Sequence, residues 1–404
     1  MCSLDDNFEN KEVKHFPKVE KINLRDLKCN KCRENIPVVL LRHKDAYCKE
    51  CFLAGATHKF KALLGKTKLI RPHDRVLISY EVGHPSTALL HFLRSGLDLN
   101  TPKQLRFEPV IVFLEDQWHL TVEERIEIVE KVKKEISWFK FQVNLVSFAD
   151  SVCNNNIVIS QMNLELHENN KENINSILKK HINRTNKKEV LNILRRNILI
   201  SIAKKLNCRY IITPELSVDI ATNLLTNICL GKGSQVPDDT GFCDHRDKDV
   251  KILRPLRTFD MKEVAFYNIF NNLTPVTVRQ PDVHQYSSIQ TLVNHFITDL
   301  QDNYPATVTT IVKTGDKLAS GDHIVRDKCK LCQGIILEKT DELNSEESTK
   351  FSRLLSNELI DHALSREDRY LKIKYKFDSC TDRNQRYCFS CSKISEFILL
   401  NDTN

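Results

Sequence analysis

Eight cysteines arranged as four Cys-x2-Cys pairs are the residues of this chain best suited to chemistry. Cys29 and Cys32 are followed, after fifteen residues, by Cys48 and Cys51. Two knuckles at this spacing deliver four thiolates to one tetrahedral ion, the chemistry of structural zinc. Four sulfurs close such a site, so it would hold structure and leave no open position for a substrate; His58 is a spare donor nearby. Cys329, Cys332, Cys388 and Cys391 can build a second closed site once the acidic stretch near 337–370 loops out. Cys380 is either a spare thiol or an alternative ligand there. The expectation is therefore two structural zinc ions. Cys153, Cys208, Cys229 and Cys243 read as packed core or loop residues. Disulfides are not expected: the start, Met1-Cys2-Ser3-Leu4-Asp5-Asp6, carries neither a basic n-region nor an apolar core, and no apolar run reaches the ~20 residues that span a bilayer. These features predict a cytosolic protein with no membrane contact.

The second candidate for chemistry is the stretch Val76 to Leu90, which runs from a strand-like RVLISY through Glu81-Val82-Gly83-His84-Pro85-Ser86 into a helix-like STALLHFLRS. Backbone amides at such a strand-to-helix turn can cradle an anion. The side chains work against that use: Glu81 brings negative charge, Val82 resists a tight positive-φ turn, and Pro85 removes an amide donor. Gly83 and Ser86 suit a phosphate loop, and Ser86 equally suits an ordinary helix N-cap.

A third feature is basic. His58–Arg75 carries Lys59, Lys61, Lys66, Lys68, Arg71 and Arg75 against Asp74 alone, and a later helix carries Arg184, Lys187, Lys188, Arg195 and Arg196. Together they could form one basic face beside the strand ends, contacting RNA phosphates for affinity and salt dependence. Each run alone is also compatible with a solvated helix face. The net charge of +7 over 404 residues is too modest to decide.

These residues need a frame. Strand-like segments at 75–80, 108–114, 142–148, 209–213 and 250–253 alternate with helix-like segments at 86–95, 121–136, 188–206 and 216–230. Such alternation predicts an α/β protein with an open doubly wound parallel sheet, whose ligands bind outside the carboxyl ends of the strands. That edge would hold the loops at 81–86, 115–119 and 213–219. The expected organisation is a flexible tail at 1–25, a zinc ribbon with basic linker at 26–70, the α/β domain at 71–314 with an Asn-rich insert at 151–187, and a zinc-ribbon domain with an acidic insert at 315–404.

The turn at 81–86, the Phe113-Leu114-Glu115-Asp116 strand end, Arg195-Arg196 and the Ile212-to-Asp219 segment occur in an order that resembles the PP-loop ATP pyrophosphatases. The first strand of those proteins ends in Ser-Gly-Gly-x-Asp-Ser. The flanking ribbons, with Leu230-Gly231-Lys232-Gly233, Asp239-Thr240-Gly241-Phe242, Leu253-Arg254-Pro255-Leu256 and Lys262 to Asn268, make the chain similar to the tRNA 2-thiolation branch and to its non-catalytic subunit family. The resemblance implies sulfur insertion at C2 of the wobble uridine (mcm5s2U34) of tRNAs for Lys, Glu and Gln. It implies a heterodimer with a catalytic PP-loop partner, which adenylates the uridine and receives sulfur from a thiocarboxylated ubiquitin-like carrier. Active relatives have a thiol before the Arg-Arg helix, where this chain reads Lys187 to Leu194, and a Gly-His turn where it has Pro214-Glu215; of the acidic pair only Asp219 remains. The chain is thus expected to hold no catalytic residue of its own and to bind ATP weakly or not at all. Two alternatives stand beside this reading: an autonomous ATP-dependent tRNA sulfurtransferase, and a zinc-bearing RNA-binding module with no catalytic role.

Overall fold

The computed structural model describes residues 27–98, 104–153, 157–167, 172, 174–175, 183–278, 284–318, 327–336, 345–356, 365–381 and 387–395. The expected tail at 1–25 lies outside them, as do parts of both inserts and the Cys380 side chain.

A short antiparallel hairpin, β1 (Val39–Leu41) and β2 (Asp45–Tyr47), joins the first two cysteine knuckles. Cys48 then opens α1 (Lys49–Thr67), which buries Phe52, Ala56, Phe60 and Leu64, one residue per turn. The basic linker expected after the ribbon is therefore largely a helix, and Lys68 ends it in the left-handed conformation (φ 48°). There follow β3 (Arg75–Tyr80), α2 (His84–Leu97), β4 (Glu108–Glu115), α3 (Val122–Trp138), β5 (Val143–Ser147) and α4 (Phe148–Cys153). Thr121 and Glu124 start α3 with a reciprocal capping box. Beyond the insert come α5 (Arg184–Lys205), β6 (Tyr210–Ile212), α6 (Ser217–Cys229), α7 (Val236–Thr240), β7 (Cys243–Asp244), β8 (Lys251–Leu253) and α8 (Met261–Phe270). The chain continues through α9 (Ile289–Asn303), α10 (Pro305–Gly315), α11 (Ser345–Ser356), α12 (Arg366–Thr381) and α13 (Phe389–Ser395).

Among the described residues β3 to β8 form one six-stranded sheet in the order β5-β4-β3-β6-β8-β7, parallel except for the short edge strand β7. Alternate side chains feed two cores, as the two-residue strand period requires. Val76, Ile78, Tyr80, Ile111, Phe113, Ile212 and Leu253 face α1, α2, α3 and α8, whereas Leu77, Val112, Leu114, Ile211 and Ile252 face α4 and α5. The expected doubly wound sheet is present. The second core also takes in Cys329, Leu331, Cys332, Cys388, Cys391 and Ile394, so the C-terminal knuckles pack against the α/β layer. A smaller cluster joins α6 to α9 and α10 through Ile220, Ala221, Val293, Ile297, Val308 and Val312. Among the described residues no helix is long and apolar enough to cross a membrane.

Candidate functional site

The strand order reverses between β3 and β6: from β3 the chain winds outward through β4 to β5, and from β6 it winds the other way to β8. Crevices of open sheets form at this switch point, beyond the carboxyl ends. A cavity of about 470 Å³ lies there, walled by Glu81 after β3, Thr213, Glu215 and Asp219 around the start of α6, and Arg195 and Arg196 of α5. Loops 81–86 and 213–219 therefore meet where the sequence predicts.

The turn after β3 is partly tied down by its own residues. The Glu81 N–H donates to Ser86 Oγ at 2.9 Å, and the Thr87 N–H to the Gly83 carbonyl at 3.4 Å. Gly83, at φ 136°, is the cap of α2, and Pro85 fills its first turn without an amide to offer. Ser86 is thus neither the N-cap nor free to meet a phosphate: it is buried and spends its oxygen on the loop. Glu135, from α3, accepts from the Tyr80 hydroxyl, the Thr87 hydroxyl and the Val276 N–H, which fixes the β3 end against α2.

Charge around the cavity is compensated internally. Arg195 bridges Glu81, at 3.5 Å, and Asp116 at the end of β4. Arg196 donates to Asp244 at 2.9 Å, Arg254 to Glu215 at 2.7 Å, Arg246 to Asp239 and Asp244, and Lys232 to Glu189. Burial alone would raise Asp244; Arg246 and Arg196 instead hold it well below the usual carboxylate range. Asp219 moves the other way, to about 6, because its place in the concave site partly desolvates the carboxyl although the side chain remains exposed, with Glu215 and Glu81 adding repulsion against the Leu216 N–H that donates to it at 2.8 Å. The carboxyl of Glu81 is raised too, by desolvation first and by Glu215, against the pull of Arg195. Arg196 Nη1, Thr226 Oγ1 and Gln290 Oε1 have no hydrogen-bond partner among the described residues. The cavity can hold water or a small polar guest; a polyphosphate would have to break existing ion pairs to gain cations.

The cysteines gather as their spacing predicts. Cys29, Cys32, Cys48 and Cys51 bring their sulfurs within 4.8 Å of one another, and so do Cys329, Cys332, Cys388 and Cys391. Zn–S bonds of about 2.3 Å in a tetrahedron set S···S edges of about 3.8 Å; the Cys32–Cys48 and Cys332–Cys388 separations are 4.0 and 3.8 Å. N–H groups of Asn35, Gln235 and Gly334 point at these sulfurs and would support thiolates. Either set fits a single metal ion. Cys208 is buried, Cys153 and Cys243 are half-buried and Cys229 is exposed; none joins either cluster.

The basic residues do not form the single face anticipated. Arg195 and Arg196 look into the cavity at the carboxyl edge, while Lys61, Lys66, Lys68 and Arg71 line a separate cleft of about 1360 Å³ between α1, α2 and residues 104–107. That cleft opens at the amino edge, where Arg75 begins β3 and donates to the Leu206 carbonyl. Lys59 is withdrawn altogether: it pairs with Glu263 at 2.8 Å and sits over the Phe259 ring. Arg196 is likewise consumed by Asp244. The carboxylates responsible, Glu263, Asp244 and Asp116, lie far away in sequence. Asp244 lies in the two-residue strand β7 and Arg246 just after it, too short a stretch to show periodicity, so no signal in the sequence flagged them.

The description "Cytoplasmic tRNA 2-thiolation protein 2" belongs to a family profile that matches residues 288–393. A protein of that name from Anopheles gambiae is 30% identical, with 93% of this chain and 91% of the relative covered. Its namesake from Drosophila persimilis is 33% identical over 76% of each. Among solved structures, the U34-tRNA thiolase NcsA from Methanococcus maripaludis with its [4Fe-4S] cluster superposes with a TM-score of 0.57 at 19% identity, covering 79% of this chain and all of that one. That likeness establishes the shared PP-loop fold. With a relative 30% identical along nine-tenths of its length, the chain belongs to the cytoplasmic tRNA 2-thiolation protein 2 family.

Proposed function

We propose that this chain is the non-catalytic subunit of a cytoplasmic complex that 2-thiolates the wobble uridine (mcm5s2U34) of tRNAs for Lys, Glu and Gln. It positions tRNA and supports a catalytic PP-loop partner, which takes sulfur from a thiocarboxylated ubiquitin-like carrier. One observation carries the reading. The turn that should cradle phosphates is closed by Ser86 on the Glu81 amide, and the Glu81 carboxylate is tied to Arg195. An active loop needs free amides and uncommitted cations around a triphosphate; here the Glu81 amide is spent on Ser86, Pro85 has none to offer, and the cations facing the cavity are taken.

Lys61, Lys66, Lys68 and Arg71, on and after α1, supply phosphate contacts, and Arg195 and Arg196 act by closing the cavity. The two tetracysteine sites hold zinc. The short sulfur separations favour one ion per site, since a cubane cluster spreads its thiolates around four iron corners and holds them farther apart. The test is to supply tRNA, ATP and a sulfur donor to this chain alone, to the PP-loop partner alone and to the pair. Thiolation is expected from the pair and not from this chain. Turnover by this chain alone would instead establish an autonomous sulfurtransferase.

A further inference from the structure

The cations committed at the carboxyl edge have uncommitted counterparts at the other end of the same strands. Parallel register sets Arg75 level with Glu108, Val76 with Tyr210, and Tyr210 with Lys251. Arg106, Arg75, Arg209 and Lys251 therefore stand at the starts of four adjacent strands, β4, β3, β6 and β8. At a strand spacing of about 4.8 Å the row spans about 15 Å. Lys248 precedes β8 and lines, with Arg209, Tyr210 and Lys251, a hollow of about 600 Å³.

The row continues into the ribbon helix. The Tyr210 hydroxyl donates to the Leu69 carbonyl at 2.8 Å, which ties β6 to the segment carrying Lys66, Lys68 and Arg71. Lys66, Lys68, Arg71, Arg106, Arg209 and Lys248 are exposed, and none of them, nor Lys251, enters an ion pair among the described residues. Fewer acids share this edge: Asp74 accepts from the Arg71 N–H at 2.7 Å, Glu108 faces Arg75 at 3.7 Å, and Asp249, which also lines the hollow, faces Lys204 at 3.7 Å. Exposed, unpaired cations that outnumber the acids along one edge leave a positive potential suited to an external polyanion.

We propose that this amino-edge band, from Lys66 and Lys68 through Arg106 and Arg209 to Lys248 and Lys251, is the track for the sugar-phosphate backbone of tRNA. It lies across the sheet from the phosphate-loop cavity. The proposal rests on the tRNA reading above and adds where the RNA lies: on the edge of this subunit that has no reaction centre, leaving the reactive nucleotide to the partner. The competing role for these cations is to complement the helix C-termini of α2 and α5, which end at the same edge; that role would act on stability alone.

The complex of this chain with its PP-loop partner is titrated with a tRNA transcript over a range of salt. The triple reversal R209E/K248E/K251E is expected to weaken binding at least 10-fold at moderate salt. It should lower the slope of log affinity against log salt by about 2, at roughly 0.7–0.9 for each phosphate no longer neutralised. Melting midpoint and metal content should not move, and the Gln triple at the same positions, milder in effect, keeps the test readable if the reversals impair folding. Unchanged affinity in the triple variants alongside weakened binding in K66E/K68E would overturn the band and leave the tRNA reading standing. Unchanged affinity in both sets would overturn both. A lowered melting midpoint with full affinity in the folded fraction would assign these cations to the helix ends and overturn the proposal.

Discussion

At the carboxyl edge of the sheet, Arg195, Arg196, Lys232, Arg246 and Arg254 each end on a carboxylate; at the amino edge, Lys66, Lys68, Arg71, Arg106, Arg209 and Lys248 end in solvent. The two edges have similar residue types and put them to opposite use. Inside the cavity the cations are desolvated and already balanced, so an incoming polyanion would exchange one set of pairs for another. Outside, a polyanion meets charge with no competing partner and gains by releasing counterions. What identifies a phosphate surface in this protein is therefore which cations lack a partner, rather than where cations are numerous.

The largest effect is expected at the metal. Cys29 and Cys32 share their site with Cys48 and Cys51 at the start of α1, the helix that brings Lys61 and Lys66 to the amino edge. Replacing Cys29 and Cys32 by Ser should remove one of two bound ions and unfold the ribbon, because metal binding there is folding energy. Elemental analysis and limited proteolysis would show this; a folded double variant that still binds two ions would contradict it. Next in size is Asp244→Asn, which strands Arg196 and leaves Arg246 with Asp239 as its one acidic partner. Losing one partner of a buried pair costs about 3–5 kcal/mol, read as a lower denaturation midpoint, while tRNA affinity of the folded fraction should stay as it was.

On the other edge the expectation inverts. Lys66→Glu with Lys68→Glu should leave stability within about 0.5 kcal/mol and weaken tRNA binding, with a flatter salt dependence. Affinity unchanged at low and moderate salt would return both residues to the solvated surface. The smallest effect concerns Asp219. With its folded pKa raised to about 6, the native state holds a proton that the unfolded chain releases near the ordinary value of 3.8. Stability should thus fall as pH rises from about 4 to about 6 and stay lower above that. Asp219→Asn keeps an acceptor for the Leu216 N–H and should flatten that slope. Because the side chain still touches solvent, the gain at neutral pH should be at most about 1 kcal/mol. Urea titrations at several pH values would measure it, and an unchanged slope would leave Asp219 with no part in the pH dependence.

Local spacing is what made much of this legible. The two cysteine sets are paired knuckles, and the sheet strands are runs such as RVLISY and EPVIVFLE whose alternate residues fill two cores. The turn at 81–86 could be placed because strand, glycine and helix follow one another. The ribbon helix was hidden, since Lys59, Lys61, Lys66 and Lys68 draw the eye from the Phe52–Ala56–Phe60–Leu64 stripe beneath them. The division of the basic residues was not legible either. Arg196 finds Asp244 48 positions away and Lys59 finds Glu263 204 positions away, and register alone brings Arg106, Arg209 and Lys251 into one row. Nor did composition reveal that the C-terminal cysteines pack into the sheet's second core through Leu331 and Ile394.

If the closed turn after β3 does no chemistry, its own residues should be dispensable for turnover. The experiment is thiolation by the reconstituted pair carrying Glu81→Gln and Ser86→Ala in this chain, with Gly83 left in place because its φ of 136° would strain any side chain. The matching loop of the partner is damaged in a parallel sample. With both complexes folded and loaded with metal, thiolation in the first sample is expected within about 3-fold of the unmodified pair, a difference of about 0.65 kcal/mol in barrier, and none is expected in the second. A 100-fold loss in the first sample would make this loop part of the catalytic machinery and refute the non-catalytic reading of the chain.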